Sequence, residues 1–376
     1  MIRKAFNTVS IGILCMGIAA PGLLQADEPG NLQLRYPELA NYLNASEVLQ
    51  ATVFEEVSLT NDLPEAMIGQ VLLRTQLEEL AESAFSHYHT SADHLAMLGP
   101  HRLIESRATP GIQALVREEF SEDEIEQILE DNDSIPGVAI GILERGRVFA
   151  QTLIEIYLDD AVYDKHAAVD AALAEYLSED TLSVADRPKN SALLSAHPFA
   201  YAFRVGFPQM SGMTWASQWL QLATLEISMI ASSQNALDAG ILNVTDLYVD
   251  KIARAHGSMI SLPTDIPTMP VIAPNFYSAH PNAAYVIDNL AALKVVIGDV
   301  LAHPDVRNRN AAIEEMVIRF TDKQEYLDEE MQYLTFVLRG GIFNQGGPAL
   351  GGMVSSERNR SRLSVENQHI SNYPMM

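Results

Sequence analysis

Apolar positions recur at three- and four-residue spacings along most of the chain. The run from 281 to 302 is the strongest case, because it is apolar on most of its circumference, as a helix in the middle of a fold would be. Similar patterns predict helices over 64–85, 138–159, 165–177, 214–231, 308–320 and 323–339. Ser121 and Glu124 form the pattern of a capping box and predict one more helix start. We therefore expect an all-α fold, a multi-helix globular bundle of about nine to eleven helices with few or no strands.

Two long proline-rich connections interrupt the helical pattern, at 180–212 and at 257–281. The first predicts an irregular connection over 181–212, between an N-terminal helical unit at 27–180 and a C-terminal helical unit at 213–353. The second carries many apolar residues, so we expect it to wrap the core, with a ligand or partner groove as the alternative. Alternating aromatic residues at 199–203 are the one strand-like pattern and predict an extended core segment, with an aromatic groove for a ligand as the alternative.

The first 26 residues have the three parts of a secretory signal peptide. Arg3 and Lys4 precede an apolar stretch at 11–20, and small residues lead to a cleavage site after Ala26. The apolar stretch is shorter than the ~20 residues that a helix needs to span a bilayer. We therefore expect cleavage to leave a mature chain without a membrane span. At the other end, residues 354–376 are polar and predict a disordered tail.

Charge and cysteine content indicate in which compartment the protein works and which classes of partner are disfavoured. The 376 residues carry a formal net charge of −25, and the only cysteine, Cys15, lies inside the predicted signal peptide. A mature exported chain without disulfides favours a bacterial periplasm over an animal secretory route. Its acidity disfavours nucleic acid and anionic lipid surfaces as partners, because both are repelled at long range.

The densest chemical signal is a group of histidines between residues 87 and 101. Neutral imidazoles together with a carboxylate suit a divalent transition metal such as zinc. The candidate metal ligands are His87, His89, Asp93, His94 and His101. Glu105 would share a face with His101 if this segment were helical. The alternative is a polar corner between two helices, in which the imidazoles cap helix ends.

Motifs for covalent catalysis are missing from the sequence. It contains no G-x-S-x-G and no S-x-x-K, and the glycine-rich run at 339–352 has Gly347 where a phosphate-binding loop requires lysine. The sequence therefore predicts a periplasmic binding or interaction protein for a protein partner or a small ligand. The alternative is a metal-dependent protein, an enzyme or a carrier, that uses the histidine group. Whether the chain is an enzyme stays open.

Overall fold

The computed structural model describes residues 30–83, 99–189, 193–194, 196–254, 266–325, 331 and 333–334. Of these residues 77% are helical, in fourteen α-helices of which ten have seven or more residues, and none forms a strand. The predicted all-α multi-helix fold is confirmed. The helices are α1 Asn31–Arg35, α2 Pro37–Asp62, α3 Met67–Ser83, α4 Arg102–Leu115, α5 Glu122–Glu130, α6 Gly137–Leu158, α7 Lys165–Leu177, α8 Ala202–Gly206, α9 Pro208–Ile230, α10 Gln234–Arg254, α11 Met269–Ile272, α12 Pro274–Ala279, α13 Pro281–Ala302 and α14 Arg309–Thr321.

Helix α13 lies at the centre of the described fold, at the position and with the bounds that its apolar pattern predicts. Most of its residues are buried, and it packs against α2, α6, α8 and α14. One hydrophobic core extends from Leu32 near the start of the described chain to Tyr333 near its end. The described parts on both sides of 181–212 therefore share a core.

Helix α2 is the largest element that the hydrophobic pattern did not predict. It runs for 26 residues and buries Ser46, Glu47 and Gln50 together with its apolar residues. Buried polar residues interrupt the apolar period on which the prediction depends. The helix predicted over 64–85 is present as a 3-10 turn, Pro64–Ala66, followed by α3.

Among the described residues, five helices have N-termini that are capped by the side chain of a glutamate or aspartate from another helix. The first N–H groups of a helix have no partner inside it, and the residue before each of these five helices has no side chain that accepts a hydrogen bond from them. A carboxyl group fits such a position because its oxygens accept these hydrogen bonds, and its ionised form also faces the positive end of the helix dipole. Glu155 accepts from α1, Asp299 from α8, Glu105 from α9, Asp288 from α11 and Glu226 from α12.

The aromatic segment around Tyr201 is folded differently from its prediction. It is a turn followed by the short helix α8, so the expectation of an extended segment is wrong. Tyr201 has a φ of 73°, in the left-handed region. The carboxylate of Asp299 accepts hydrogen bonds from the backbone N–H groups of Tyr201 (3.1 Å) and Phe203 (2.9 Å). These two bonds fix the turn, and α8 and the first turn of α9 both lie inside the range 181–212.

The predicted signal peptide at 1–26 and the predicted tail at 354–376 lie outside the described residues. Within the residues that are described, no helix combines the length and the apolar character needed to cross a lipid bilayer.

Candidate functional site

A small cavity, lined mostly by polar residues and partly open to solvent, lies among α2, α9 and α13. We call it the polar cavity. Its volume, taken as the space open to the centres of water-sized molecules, is about 30 Å³, where ~10–15 Å³ is enough for one water. It is lined by Ser46, Glu47 and Gln50 of α2, Ser211, Thr214, Trp215, Ser217, Gln218 and Gln221 of α9, Ala291, Lys294 and Val295 of α13, together with Arg204, Ile266 and Pro267.

Helical spacing explains why α9 presents so many polar groups to one place. Ser211, Thr214, Gln218 and Gln221 follow one another at intervals of three, four and three residues, so they share a face of the helix. Most of the other residues of α9 are apolar and buried. The polar stripe therefore lines the cavity, with Thr214 buried and Ser211, Gln218 and Gln221 half-buried.

An ion pair closes one wall of the polar cavity. Lys294 Nζ of α13 donates to both carboxylate oxygens of Glu47 of α2, at 2.9 and 3.2 Å. The Lys294 side chain is 19% exposed and that of Glu47 is 12% exposed. Both charged groups therefore stand at the edge of the core with a partner, which is the condition under which charged groups are retained there.

Two residues that line the polar cavity each have a side-chain nitrogen with no hydrogen-bond partner among the described residues. These nitrogens are the indole Nε1 of Trp215 and the amide Nε2 of Gln218. Trp215 is only 4% exposed, and the ammonium of Lys251 lies 5.2 Å from the centroid of its ring. Because buried donors are normally paired, these two N–H groups are available to a bound molecule or to water.

A second, smaller cavity adjoins the first and adds Arg147 of α6. It shares Glu47, Gln218 and Lys294 with the polar cavity. Arg147 is itself paired, with Glu144 at 2.6 Å and Glu122 at 2.5 Å. The guanidinium is thus held in place beside the cavity by two carboxylates.

Behind the polar cavity, Arg204 belongs to a fully buried charged cluster. Its guanidinium donates to Asp299 at 2.9 Å and to the carbonyl oxygen of Leu194 at 2.9 Å, and it lies 4.0 Å from the centroid of the Tyr201 ring. Nε2 of His197 is 3.4 Å from the same carboxylate. Burial alone would raise the pKa of Asp299, but Arg204 and His197 hold it below its usual value. Asp299 is therefore ionised and keeps Arg204 oriented.

Of the five predicted metal ligands, only His101 lies within the described residues. His87, His89, Asp93 and His94 lie outside them, so the predicted group stays a prediction. The backbone N–H of Glu105 donates to the carbonyl oxygen of His101 at 2.9 Å, so the two residues are one helical turn apart. The expected shared face of His101 and Glu105 is present.

The imidazole of His101 is packed inside the protein. It is 2% exposed and stacks on Phe207, with ring centroids 4.7 Å apart. Neither ring nitrogen has a hydrogen-bond partner among the described residues, and burial lowers the pKa of His101 to about 4. Glu105 is fully buried, and burial raises its pKa to about 8 although the N–H of Met210 donates to it at 2.8 Å. Both side chains are neutral at pH 7.

The polar cavity was missed by sequence reasoning, although one signal for it was present. Four polar residues at helical spacing in an otherwise apolar helix indicate either a solvent-facing stripe or a buried polar site, and the pattern alone does not separate the two. Glu47 and Lys294 gave no signal, because they come from helices 247 residues apart in sequence.

Comparison with known proteins gives no relative. No family model, no curated protein and no solved structure matches the chain.

Proposed function

We propose that the chain is exported to the periplasm and there binds a small carboxylate-bearing molecule in the polar cavity. Export is supported by the charged, apolar and small-residue parts of the first 26 residues, and by the position of the only cysteine within them. Binding of a small molecule is supported by a cavity at which polar groups from several helices meet.

The observation that carries the proposal is the unpaired indole N–H of Trp215. A buried donor without a partner costs about 1–3 kcal/mol, which a ligand acceptor or a bound water would recover. The unpaired amide nitrogen of Gln218 lines the same cavity. A ligand with two acceptor oxygens would satisfy both groups.

The basic residues of the lining favour a carboxylate over a neutral acceptor. In the chain as a whole, 49 acidic residues outnumber 24 basic ones. The lining of the polar cavity reverses this ratio, with Lys294 and Arg204 against Glu47 alone. Each of the two cations also has a fixed carboxylate partner, Glu47 for Lys294 and Asp299 for Arg204, so a ligand carboxylate would share them with these residues. The acidic exterior disfavours nucleic acid as a partner.

The size of the cavity limits what enters it. A space that holds about two waters takes a carboxylate group, while the rest of a larger ligand would have to lie toward the opening or in the adjoining cavity beside Arg147. We therefore infer that short-chain mono- or dicarboxylates are the ligand class.

Tryptophan fluorescence tests this directly, because the chain has only two tryptophans. The full chain with Trp219→Phe is expressed in a Gram-negative host, and the mass of the periplasmic product is measured first. A product that begins at Asp27 supports export, and a cytoplasmic product that retains residues 1–26 contradicts it. The emission of Trp215 is then followed during titration with acetate, with succinate and with acetamide. Saturable changes are expected with a carboxylate, and none with the neutral amide.

Lys294→Met identifies the site, and Lys323→Met is the matched control. Lys323 also makes a lysine–aspartate pair, with Asp180 at 3.0 Å, and its side chain is 22% exposed, close to the 19% of Lys294. We expect Lys294→Met to weaken carboxylate binding roughly 10- to 100-fold, since a hydrogen bond to a charged group contributes about 1.5–3 kcal/mol. Lys323→Met should leave it unchanged. Equal effects of the two variants, or no carboxylate response in either, would overturn the proposal.

A further inference from the structure

A second group of ligating side chains lies away from the polar cavity, where α7 meets the start of α13. His166 and Asp170 are four residues apart on α7, and His280 is the residue that precedes α13. Each of the three places one ligand atom within 4.8 Å of the ligand atoms of the other two. The three residues come together from segments 110 residues apart in sequence, which no local motif records.

The two residues on α7 are open to solvent and are close to each other. Nε2 of His166 lies 3.7 Å from Oδ2 of Asp170, and both side chains are 65% exposed. The imidazole of His166 faces that of His280, with ring centroids 4.7 Å apart and planes inclined by 30°. His166 and Asp170 can therefore be reached from solvent, and their side chains are free to adjust.

The third residue, His280, is held rigidly and is oriented by a tyrosine. It is 5% exposed, and its Nε2 lies 2.7 Å from the hydroxyl of Tyr157 of α6. Its Nδ1 has no hydrogen-bond partner among the described residues. When Nε2 carries the proton and donates it to Tyr157, Nδ1 presents an unshared electron pair. Such an outer hydrogen bond is the usual way in which a protein fixes a metal-ligating histidine.

We propose that His166, Asp170 and His280 form a binding site for a divalent transition metal, with zinc as the ion that the donor set fits best. Two imidazoles and one carboxylate are the ligands of several zinc sites that keep a fourth position open to water. Bonds of ~2.0–2.1 Å in a tetrahedron place ligand atoms about 3.3 Å apart. Rotation of the exposed His166 and Asp170 side chains closes the remaining gap.

This proposal is independent of carboxylate binding, since none of its residues lines either cavity. It also places a metal at different residues from the histidine group at 87–101. The two metal hypotheses share no ligand, so variants separate them.

The test uses the full chain without a polyhistidine tag, stripped of metal with a chelator and titrated with zinc against a chromophoric competitor. We expect one equivalent to bind, and His166→Ala and Asp170→Asn each to weaken the affinity by at least tenfold, because even loss of an outer hydrogen-bond partner costs ~10–100-fold. Both substitutions are at exposed positions, so circular dichroism should show unchanged helix content.

Two controls make the location of the metal decisive. Glu175→Gln removes another exposed carboxylate of α7 and should leave the affinity unchanged. The triple variant His87→Ala, His89→Ala, His94→Ala should also bind zinc as the parent does. The proposal is overturned if the chain binds no zinc, if His166→Ala binds as tightly as the parent, or if the triple variant loses the site.

Discussion

Two groups of histidines in this chain differ in how they are assembled. The group at 87–101 is dense in sequence, and its one described member, His101, is stacked on Phe207 inside the protein. The second group, His166 with Asp170 and His280, is sparse in sequence and converges in space. Histidines that are close in sequence therefore need not bring their ligand atoms together in space, and residues that are distant in sequence can do so.

Exposure accounts for the chemical difference between the two groups. Burial disfavours the charged imidazolium and keeps His101 neutral, but the stacking also occupies the space around its ring. His166 meets solvent on its open side, while a hydrogen bond from the protein side orients His280. An outer hydrogen bond fixes a metal-ligating histidine, and an exposed ligand leaves the metal a path of entry.

The largest effect is expected from Glu105→Gln, which removes a buried ionisable group one helical turn from His101. The pKa of Glu105 is about 8 in the folded protein, against 4.5 for the ordinary side chain. Between these values the unfolded chain gives up its proton and the folded chain keeps it, so the parent loses stability as pH rises from about 4.5 to 8. Glutamine cannot ionise and is free of this loss. In urea unfolding, the free energy of unfolding of the variant should rise relative to that of the parent as pH increases. Above pH 8 this relative gain should reach roughly 3 to 5 kcal/mol.

His101 gives the stability of the parent and of the variant the opposite dependence on pH. Because this dependence is the same in both, it cancels in the difference between their free energies of unfolding. The pKa of His101, about 4, lies below the ordinary 6.5, so stability falls as pH drops through that window. A stability difference between variant and parent that stays constant from pH 4.5 to 8 would show that Glu105 ionises normally.

A smaller effect is expected from Gly69→Ala, which probes the packing around His101. A Cβ at Gly69 would lie 2.6 Å from Nδ1 of His101 and 2.8 Å from the carbonyl oxygen of Pro100. Such overpacking costs about 1–3 kcal/mol of unfolding free energy. The control is Gly111→Ala in α4, where a Cβ meets nothing within 4 Å and the helix gains about 0.5–1 kcal/mol. Thermal unfolding that ranks the two variants equally would mean that the His101 ring is loosely held.

The smallest effect is expected from Tyr157→Phe, next to the group of His166, Asp170 and His280. Loss of the hydroxyl removes the hydrogen bond that orients His280, and zinc affinity should fall about tenfold in the competition assay. Tyr163→Phe is the control, because that side chain is 98% exposed on the connection to α7. If both variants bind zinc as the parent does, the contact between Tyr157 and His280 has no part in a metal site.

Helices with strong local signals were predictable from the sequence, and those without were not. The capping box at Ser121 and Glu124 is present with both of its hydrogen bonds, and α13 has the predicted bounds. Both depend on interactions within a few residues. Helix α2 was missed because Glu47 and Gln50 face a buried polar site, a property that its own sequence does not contain.

The candidate sites were harder to predict than the fold, for the same reason. Glu47 meets Lys294, and His166 meets His280, only after distant helices have packed. A polar residue in a helix gives the same sequence pattern whether its side chain faces solvent or a cavity. The identity of its neighbour is a tertiary property, which the local pattern does not contain.

The capping of five described helices by glutamate and aspartate side chains from other helices has a consequence for the order of folding. The cap of α8 joins residues 96 apart, that of α9 residues 105 apart and that of α1 residues 123 apart. Closing loops of this length has an entropic cost that local helix formation does not have. The ends of these helices are therefore completed only when the long helices have met. We expect the caps to be absent from the folding transition state, so that they slow unfolding and leave the folding rate nearly unchanged.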